Sequence, residues 1–335
     1  MENIKCKLIS ESDNEMWYEY FALSQEISKK HYPAGYDAGK TIEKFREQIR
    51  KNSVNLSFLK TFLVFENDVP AAWFDLSKVE SDLYFGFDVL ADVVPKGILN
   101  NLYAGIYEEL AVNDYGYAVN YVFREPLIKA FKDSGASINE EMLISRLEKK
   151  DMNESFYKEI AANDKLNKWR LEFYTDIPAE QVDKFEALSQ SAINDIASLD
   201  PNKATMYPFT YDGWKKNIEN FGSFVTVCLL YDNEDNIAGL TWVLSYPNGL
   251  NTVQHNGGLT AVAPNYRGLG IARYLKANLY LKLLNENKDF KYVTTDTMPW
   301  NKYMFRINEE FGFKPHRKGC SFKLSIDFLK TYLNK

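Results

Sequence analysis

Residues 168–326 carry a regular succession of hydrophobic patterns. Lys168 to Thr175 alternates apolar and polar positions, which predicts a strand. Pro178 to Ala197 places Val182, Phe185, Leu188 and Ile193 at helical spacing, and a second short helix is expected from Thr210, carrying Trp214 and Ile218. Phe224 to Tyr231 and Ile237 to Tyr246 read as strands joined by the polar turn Asp232 to Asn236. Pro247-Asn248-Gly249 marks a further turn. A strand-like run, Leu259 to Ala263, then leads into a helix whose Ile271, Leu275, Leu279 and Leu283 recur at every fourth position, with Ala272 beside them. Tyr292 to Thr297 alternates as a strand. Asn301 opens a helix with Met304, Ile307 and Asn308 that stops at Phe311-Gly312-Phe313, and Gly319 to Ile326 is expected to supply a final strand. The predicted order is β-α-α-β-β-β-α-β-α-β.

The first half repeats this order in weaker form. Glu11 to Lys30 is helical, with Trp17, Tyr20, Phe21 and Ile27 on one face, and Thr41 to Lys51 is a second helix. Thr61 to Glu66 and Ala71 to Leu76 form a hairpin around Asn67-Asp68-Val69-Pro70. Tyr84 to Val89, Ile98 to Leu110, Ala118 to Phe123 and Pro126 to Gly135 follow as strand, helix, strand and helix. Two domains are therefore expected, residues 1–150 and 151–335. The boundary is placed in the charged stretch Lys149 to Lys168, where Ser155 to Ala162 reads as a linking helix.

The chemistry concentrates in Pro264-Asn265-Tyr266-Arg267-Gly268-Leu269-Gly270-Ile271-Ala272. A turn with two glycines that opens directly into a helix is built to hold an anion. Glycine lets the backbone approach closely, and the unpaired N–H groups and dipole of the helix N-terminus favour negative charge. Arg267 adds a fixed positive charge. The turn lacks the Gly-Lys-Ser/Thr of a nucleoside-triphosphate loop and the third glycine of a dinucleotide fingerprint. It resembles the coenzyme A pyrophosphate loop of the GNAT superfamily of N-acetyltransferases, which reads Gln/Arg-x-x-Gly-x-Gly/Ala. Gly268 and Gly270 match, whereas Asn265 departs from the usual Gln or Arg. Asn301 followed by a helix ending in Phe311-Gly312-Phe313 is similar to a second signature of that family.

The resemblance covers the last half of the chain. It implies a tandem of two α/β (α+β) GNAT-like domains, each a mixed, mostly antiparallel sheet flanked by helices. It implies acyl transfer from acetyl-CoA to a small amine in the second domain. Contacts to the donor would come from Thr260, Val262, Arg267, Gly268, Leu269, Gly270, Ile271, Ala272 and Asn301, with the Val262 N–H binding the thioester oxygen. The family's acid, a Tyr four residues before the Gly-Phe pair, is replaced by Asn308. The family's strand-four Glu falls at Asn256; its neighbour His255 is a candidate base, as is Asp296, which would otherwise anchor the amine or cap the next turn. Trp242 and Tyr246 either line the acceptor site or pack in the core.

In the first half the loop's counterpart is Ala91 to Ile98, with one glycine, no arginine, Asp92, and a Pro95 that removes an N–H donor. This half is read as a degenerate copy that binds no coenzyme A. A non-catalytic acyl-CoA-binding or regulatory protein is the alternative reading of the whole chain. Peptidoglycan-type aminoacyl transferases also pair two such folds, but use aminoacyl-tRNA, and this chain has no basic footprint for it.

Composition adds bounds. The formal net charge of −6 argues against a nucleic-acid partner and is compatible with a cationic acceptor. Cys6, Cys228 and Cys320 lie far apart, which gives neither a disulfide framework nor metal-ligand spacing. No metal, no membrane span and a cytoplasmic location are expected, as monomer or homodimer.

Overall fold

The computed structural model describes all residues except 1–2, 33–36, 56, 80–81, 200–208, 221–222, 247–250, 256–257 and 288. The turn expected at Pro247-Asn248-Gly249 lies outside the described residues. The chain forms two compact units, one of residues 1–141 and 318–335 and one of residues 142–317.

The first unit begins with β1 (Ile4–Leu8), α1 (Asn14–His31), α2 (Ile42–Asn55), β2 (Ser57–Glu66), β3 (Val69–Val79) and β4 (Asp82–Val89). It continues with α3 (Lys96–Val112), β5 (Tyr117–Val122), α4 (Glu125–Asp133) and the start of β6 (Ser137–Glu148). The β2–β3 hairpin turns on Asn67 and Asp68, both at positive φ (51° and 65°), the conformation that a right-twisted two-residue turn demands. Alternation along β2 splits its side chains between two cores. Leu63 and Phe65 pack with Trp17, Tyr20 and Ile27 of α1, while Val64 joins Leu102, Tyr103 and Ile106 of α3 on the other face.

The second unit continues from β6 through α5 (Glu154–Ala161), β7 (Arg170–Tyr174), α6 (Val182–Leu199), α7 (Tyr211–Asn220), β8 (Phe224–Tyr231) and β9 (Ile237–Tyr246). Then come β10 (Thr252–Gln254), β11 (Thr260–Val262), α8 (Ile271–Glu286), β12 (Tyr292–Thr297) and α9 (Lys302–Glu310). Its strands run in the order β6-β12-β10-β9-β8-β7, antiparallel except for the parallel β10–β12 pair. Cys228 and Leu230 of β8 face α8, whereas Val225, Val227 and Leu229 face α6 and α7. With both faces covered, β9 is buried from Ile237 to Leu244 and reads as a nearly continuous apolar run.

The chain ends in β13 (Lys314–Ser325) and α10 (Ile326–Leu333). Here one expectation is corrected. The last strand was expected to close the second domain, yet Cys320–Ser325 pair antiparallel with Tyr117–Val122 of β5 in the first unit. Phe322, Leu324 and Leu329 are buried in that unit's core. Alternation identifies a strand and its buried face, but not the strand it pairs with. β6 fills the second unit instead, with Leu143–Glu148 paired to β12. Among the described residues, no helix is long and apolar enough to cross a membrane.

Candidate functional site

The site grows from a strand that splits. β10 and β11 both pair with β9, but the seven positions from Gln254 to Thr260 lie opposite the four from Leu244 to Thr241, so three extra residues are inserted. β10 stays hydrogen-bonded to β12, and the His255 N–H donates to Thr294 O at 2.7 Å. Beyond that rung β12 and β11 part. Gly258 makes the turn at the fork: its N–H donates to His255 O at 2.9 Å, and a Cβ there would lie 2.5 Å from Trp242 O, so only glycine fits.

The ladder on the β9 side sets the direction of the β11 amides. Trp242 N donates to Leu259 O (3.2 Å) and Ala263 N to Ala238 O (3.0 Å). Thr260 and Val262 therefore occupy the positions between hydrogen-bonded pairs and turn their N–H groups away from β9. That edge of β11 has no strand partner among the described residues. It is a row of main-chain donors and acceptors facing the fork.

From Val262 the chain passes through a 3-10 turn, Pro264–Tyr266, into the loop. Tyr266 is held by a hydrogen bond from its hydroxyl to the Asp232 carboxylate and by Trp169 edge-on to its ring. Gly268 and Gly270 have φ of 81° and 79°, where a Cβ costs about 1–2 kcal/mol. An added Cβ would meet no atom within 4 Å at either position, so the backbone conformation, not crowding, selects glycine. Gly270 is the N-cap of α8 and, having no side chain, gives that helix no side-chain cap. Tyr274 N is the first amide to bond back, to Gly270 O at 3.0 Å, which leaves the amides of Ile271, Ala272 and Arg273 without intrahelical acceptors. Ile271 is buried against Gly239 and fixes where this end points, while Leu269 is exposed. Arg267 forms an ion pair with Asp195 of α6 and donates from Nε to Val262 O at 3.3 Å.

A cavity of ≈ 200 Å³ opens at the fork. His255, Gly258, Leu259 and Thr260 line one side, residues 295–298 the other, and Lys276 of α8, Asn301 and Met304 complete the wall with Met142 and Ile196. The structure thus brings His255, Thr260, Asp296 and Asn301 together. Asn308 is buried just behind, where its Nδ2 donates to Thr297 Oγ1 at 2.9 Å. Asn301 caps α9 by accepting from Met304 N at 3.2 Å. Asn256 lies outside the described residues. Trp242 is buried among Phe185, Phe209 and Trp214 and belongs to the core.

The candidate base His255 meets a physical obstacle. Nε2 lies 2.9 Å from Thr241 Oγ1 and Nδ1 lies 3.0 Å from Tyr280 Oη, so both ring nitrogens are committed. Burial, helped by the nearby Lys276 charge, pushes its pKa well below the usual imidazole value. Thr241 Oγ1 in turn meets Thr260 Oγ1 at 2.8 Å. His255 is a neutral linker that ties β9, β11 and α8 together. Asp296 behaves differently: it lines the cavity, and burial raises its carboxyl pKa.

Lys276 was not anticipated from the sequence. Its side chain is only 1 % exposed, its Nζ donates to Asn308 Oδ1 at 2.7 Å, and burial lowers its pKa to about 7. The available signal was its spacing: Lys276, Tyr280 and Leu283 fall on one helical face, a lysine where the pattern calls for an apolar residue.

The first unit has a counterpart fork with different contents. Among the described residues, β4 and β5 pair in parallel only at Leu83 and Tyr84, opposite Ala118 and Val119. Past that point the Arg124 guanidinium spans the gap, bonding Val89 O (2.7 Å), Ala91 O (3.1 Å), His31 Nε2 (3.0 Å) and the buried Asp88 carboxylate. Asp88 also accepts from Tyr32 Oη at 2.9 Å. A side chain of the unit itself fills the place that stays open in the second unit.

Comparison with solved structures identifies the fold. A tandem GNAT protein from the clavulanic acid biosynthesis pathway superposes with a TM-score of 0.71 at 14 % identity, over 97 % of this chain and 99 % of that one. A GCN5-related N-acetyltransferase from Sphaerobacter thermophilus gives 0.59 at 10 % identity over 96 % of each chain. A GNAT-family acetyltransferase from Colwellia psychrerythraea gives 0.52 at 12 % identity, over 96 % of this chain and 100 % of that one. The chain has the tandem GNAT fold. No family model and no curated protein matches its sequence.

Proposed function

We propose that this tandem GNAT-fold chain is an N-acyltransferase that moves an acyl group, acetyl by default, from its coenzyme A thioester to a small amine in the second unit. The observation that carries the reading is the continuity of two backbone features. The unpaired Thr260–Val262 edge runs straight into the uncapped N-terminus of α8 behind Gly268 and Gly270. An amide-bearing linear arm can pair with the first as a strand would, and a pyrophosphate suits the second.

The residues then divide the work. Amides from Gly268 to Ala272 hold phosphate oxygens, and Arg267 turns from Asp195 toward them. The Val262 N–H, aimed into the fork, stabilises charge on the thioester oxygen. Asp296 anchors the acceptor as an ammonium and takes its proton, a task that its raised pKa favours. Met142, Ile196, Met298 and Met304 line the acceptor side with adaptable apolar surface, which suits an amine on an apolar body. The first unit, with Arg124 across its fork, binds no coenzyme A.

The test is release of free thiol from acetyl-CoA in the presence of a library of small amines. The alternative reading, a non-catalytic acyl-CoA-binding protein, draws on Asn308, whose amide has no proton to give. It predicts binding of acetyl-CoA with no thiol release for any amine.

A further inference from the structure

We propose that the Lys276 ammonium is the proton donor to the thiolate that leaves when the thioester is cleaved. This rests on the acyl-transfer reading above and assigns it a catalytic group that the sequence pattern did not supply.

Three ionisable side chains line the cavity: His255, Lys276 and Asp296. Both nitrogens of His255 are held by hydroxyls. Asp296 is suited to receive a proton. Lys276 reaches the cavity from the second turn of α8, the helix whose first turn takes the donor's phosphates. One of its three N–H donors goes to Asn308 Oδ1, and no carboxylate lies within ion-pair distance of Nζ among the described residues. Its Nζ lies 5.8 and 5.5 Å from the ring centroids of Tyr280 and Phe313, so the ammonium stands against aromatic faces. Asn308 itself is fixed by Thr297, so the lysine is aimed rather than loose.

The groups facing it are His255 from the β10–β11 connection, Asp296 from β12, Tyr280 on its own helix and, behind Tyr280, Tyr157 of α5. The cavity therefore presents an ammonium with spare donors that becomes neutral without leaving a counter-ion unpaired. Burial holds its pKa at about 7, below the roughly 8.5 of an ordinary thiol, so transfer of a proton to the departing thiolate runs downhill.

The step balances. Asp296 passes to solvent the proton it takes from the incoming ammonium; the neutral amine then attacks the thioester carbon, and its surplus proton goes to Asp296. The C–S bond breaks, its electron pair stays on sulfur, and sulfur takes a proton from Lys276 Nζ. The proton on Asp296 restores the ammonium through solvent. One amine and one thioester give one amide and one thiol.

The experiment is single-turnover thiol release from acetyl-CoA with hydroxylamine as the acceptor, on wild type, Lys276→Met and Lys276→Arg. Arginine keeps the charge but does not give up its proton. Both variants should slow release by about 10²-fold while calorimetry shows acetyl-CoA bound as in wild type. The wild-type rate should fall as pH rises through about 7, where Lys276 loses its proton, and the variants should lack that limb. An acetyl thioester of a more acidic aryl thiol, whose leaving group needs no proton, should restore the variants to near the wild-type rate. A purely structural lysine would not respond to the leaving group. Variants as fast as wild type, or equally slow with both thioesters, overturn the assignment alone. A wild-type protein that neither binds acetyl-CoA nor releases thiol overturns the acyl-transfer reading and this inference with it.

Discussion

Phe322 stacks on Phe131 with ring centroids 5.0 Å apart and the planes 26° from parallel. The pair joins the last strand of the chain to α4, near the middle of the sequence, and both rings are fully buried. Residues 318–335 are thus part of the first unit's core. Phe322→Ala should destabilise that unit by about 3–5 kcal/mol, the usual cost of an emptied aromatic site. Urea denaturation followed by a probe in the first unit reads the shift. A change confined to a probe in the second unit would contradict the strand assignment.

Arg124 and Asp88 form a buried ion pair whose other hydrogen bonds go to main chain, His31 and Tyr32. Arg124→Met leaves Asp88 buried and uncompensated and should cost about 3–5 kcal/mol. Pairing it with Asp88→Asn should recover a large part of that loss, because the stranded charge is gone. Chemical denaturation of the two variants gives the comparison, and a double variant no more stable than the single one would remove the ion-pair argument.

Lys276 has a folded pKa of about 7 against an ordinary 10.5. Between those values the unfolded chain holds a proton that the folded protein does not. Stability from this group is therefore complete above about pH 10.5 and is lost as pH falls toward 7. Relative to Lys276→Met, wild type should gain about 2–3 kcal/mol between about pH 7 and about pH 9.5. Urea midpoints at the two pH values measure it, and parallel pH dependence in the two proteins would show that the lysine is not buried as described.

Proline at Val262 removes one N–H from an edge position that makes no ladder bond to β9, so the fold should tolerate it. Under the proposed chemistry Val262→Pro retains acetyl-CoA binding but loses about 10²-fold in thiol release, the loss seen when an oxyanion donor is removed. Unchanged turnover would shift the oxyanion role to another donor.

Most elements were legible in the sequence because their signals are local. β8, β9 and β12 begin and end where alternation placed them, and the four-residue stripe of α8 is buried as its spacing required. The loop glycines were legible because their φ is a property of the residue itself. Four features were not. β6 begins with Ser137-Ile138-Asn139-Glu140-Glu141, too polar to mark a strand. The pairing of β13 with β5 joins segments about 200 residues apart in the chain, and no local pattern encodes that. His255 reads as a catalytic candidate from its residue type and its place beside Asn256, yet its role is set by hydroxyls from Thr241 and Tyr280, at positions 14 and 25 residues away. The insertion between β10 and β11, which opens the fork, required the register of both strands against β9.

The most direct test of the account is calorimetric titration of the intact chain with acetyl-CoA, repeated on a Gly268→Val, Gly270→Val double variant. Valine is disfavoured at positive φ, so the loop must leave its anion-holding conformation while the α8 stripe stays packed. Saturable binding at one site per chain is expected in the wild type, and its loss in the variant. Binding of two equivalents would place acetyl-CoA in the first unit as well, and unchanged binding by the variant, or none by the intact chain, would contradict the assignment of the loop.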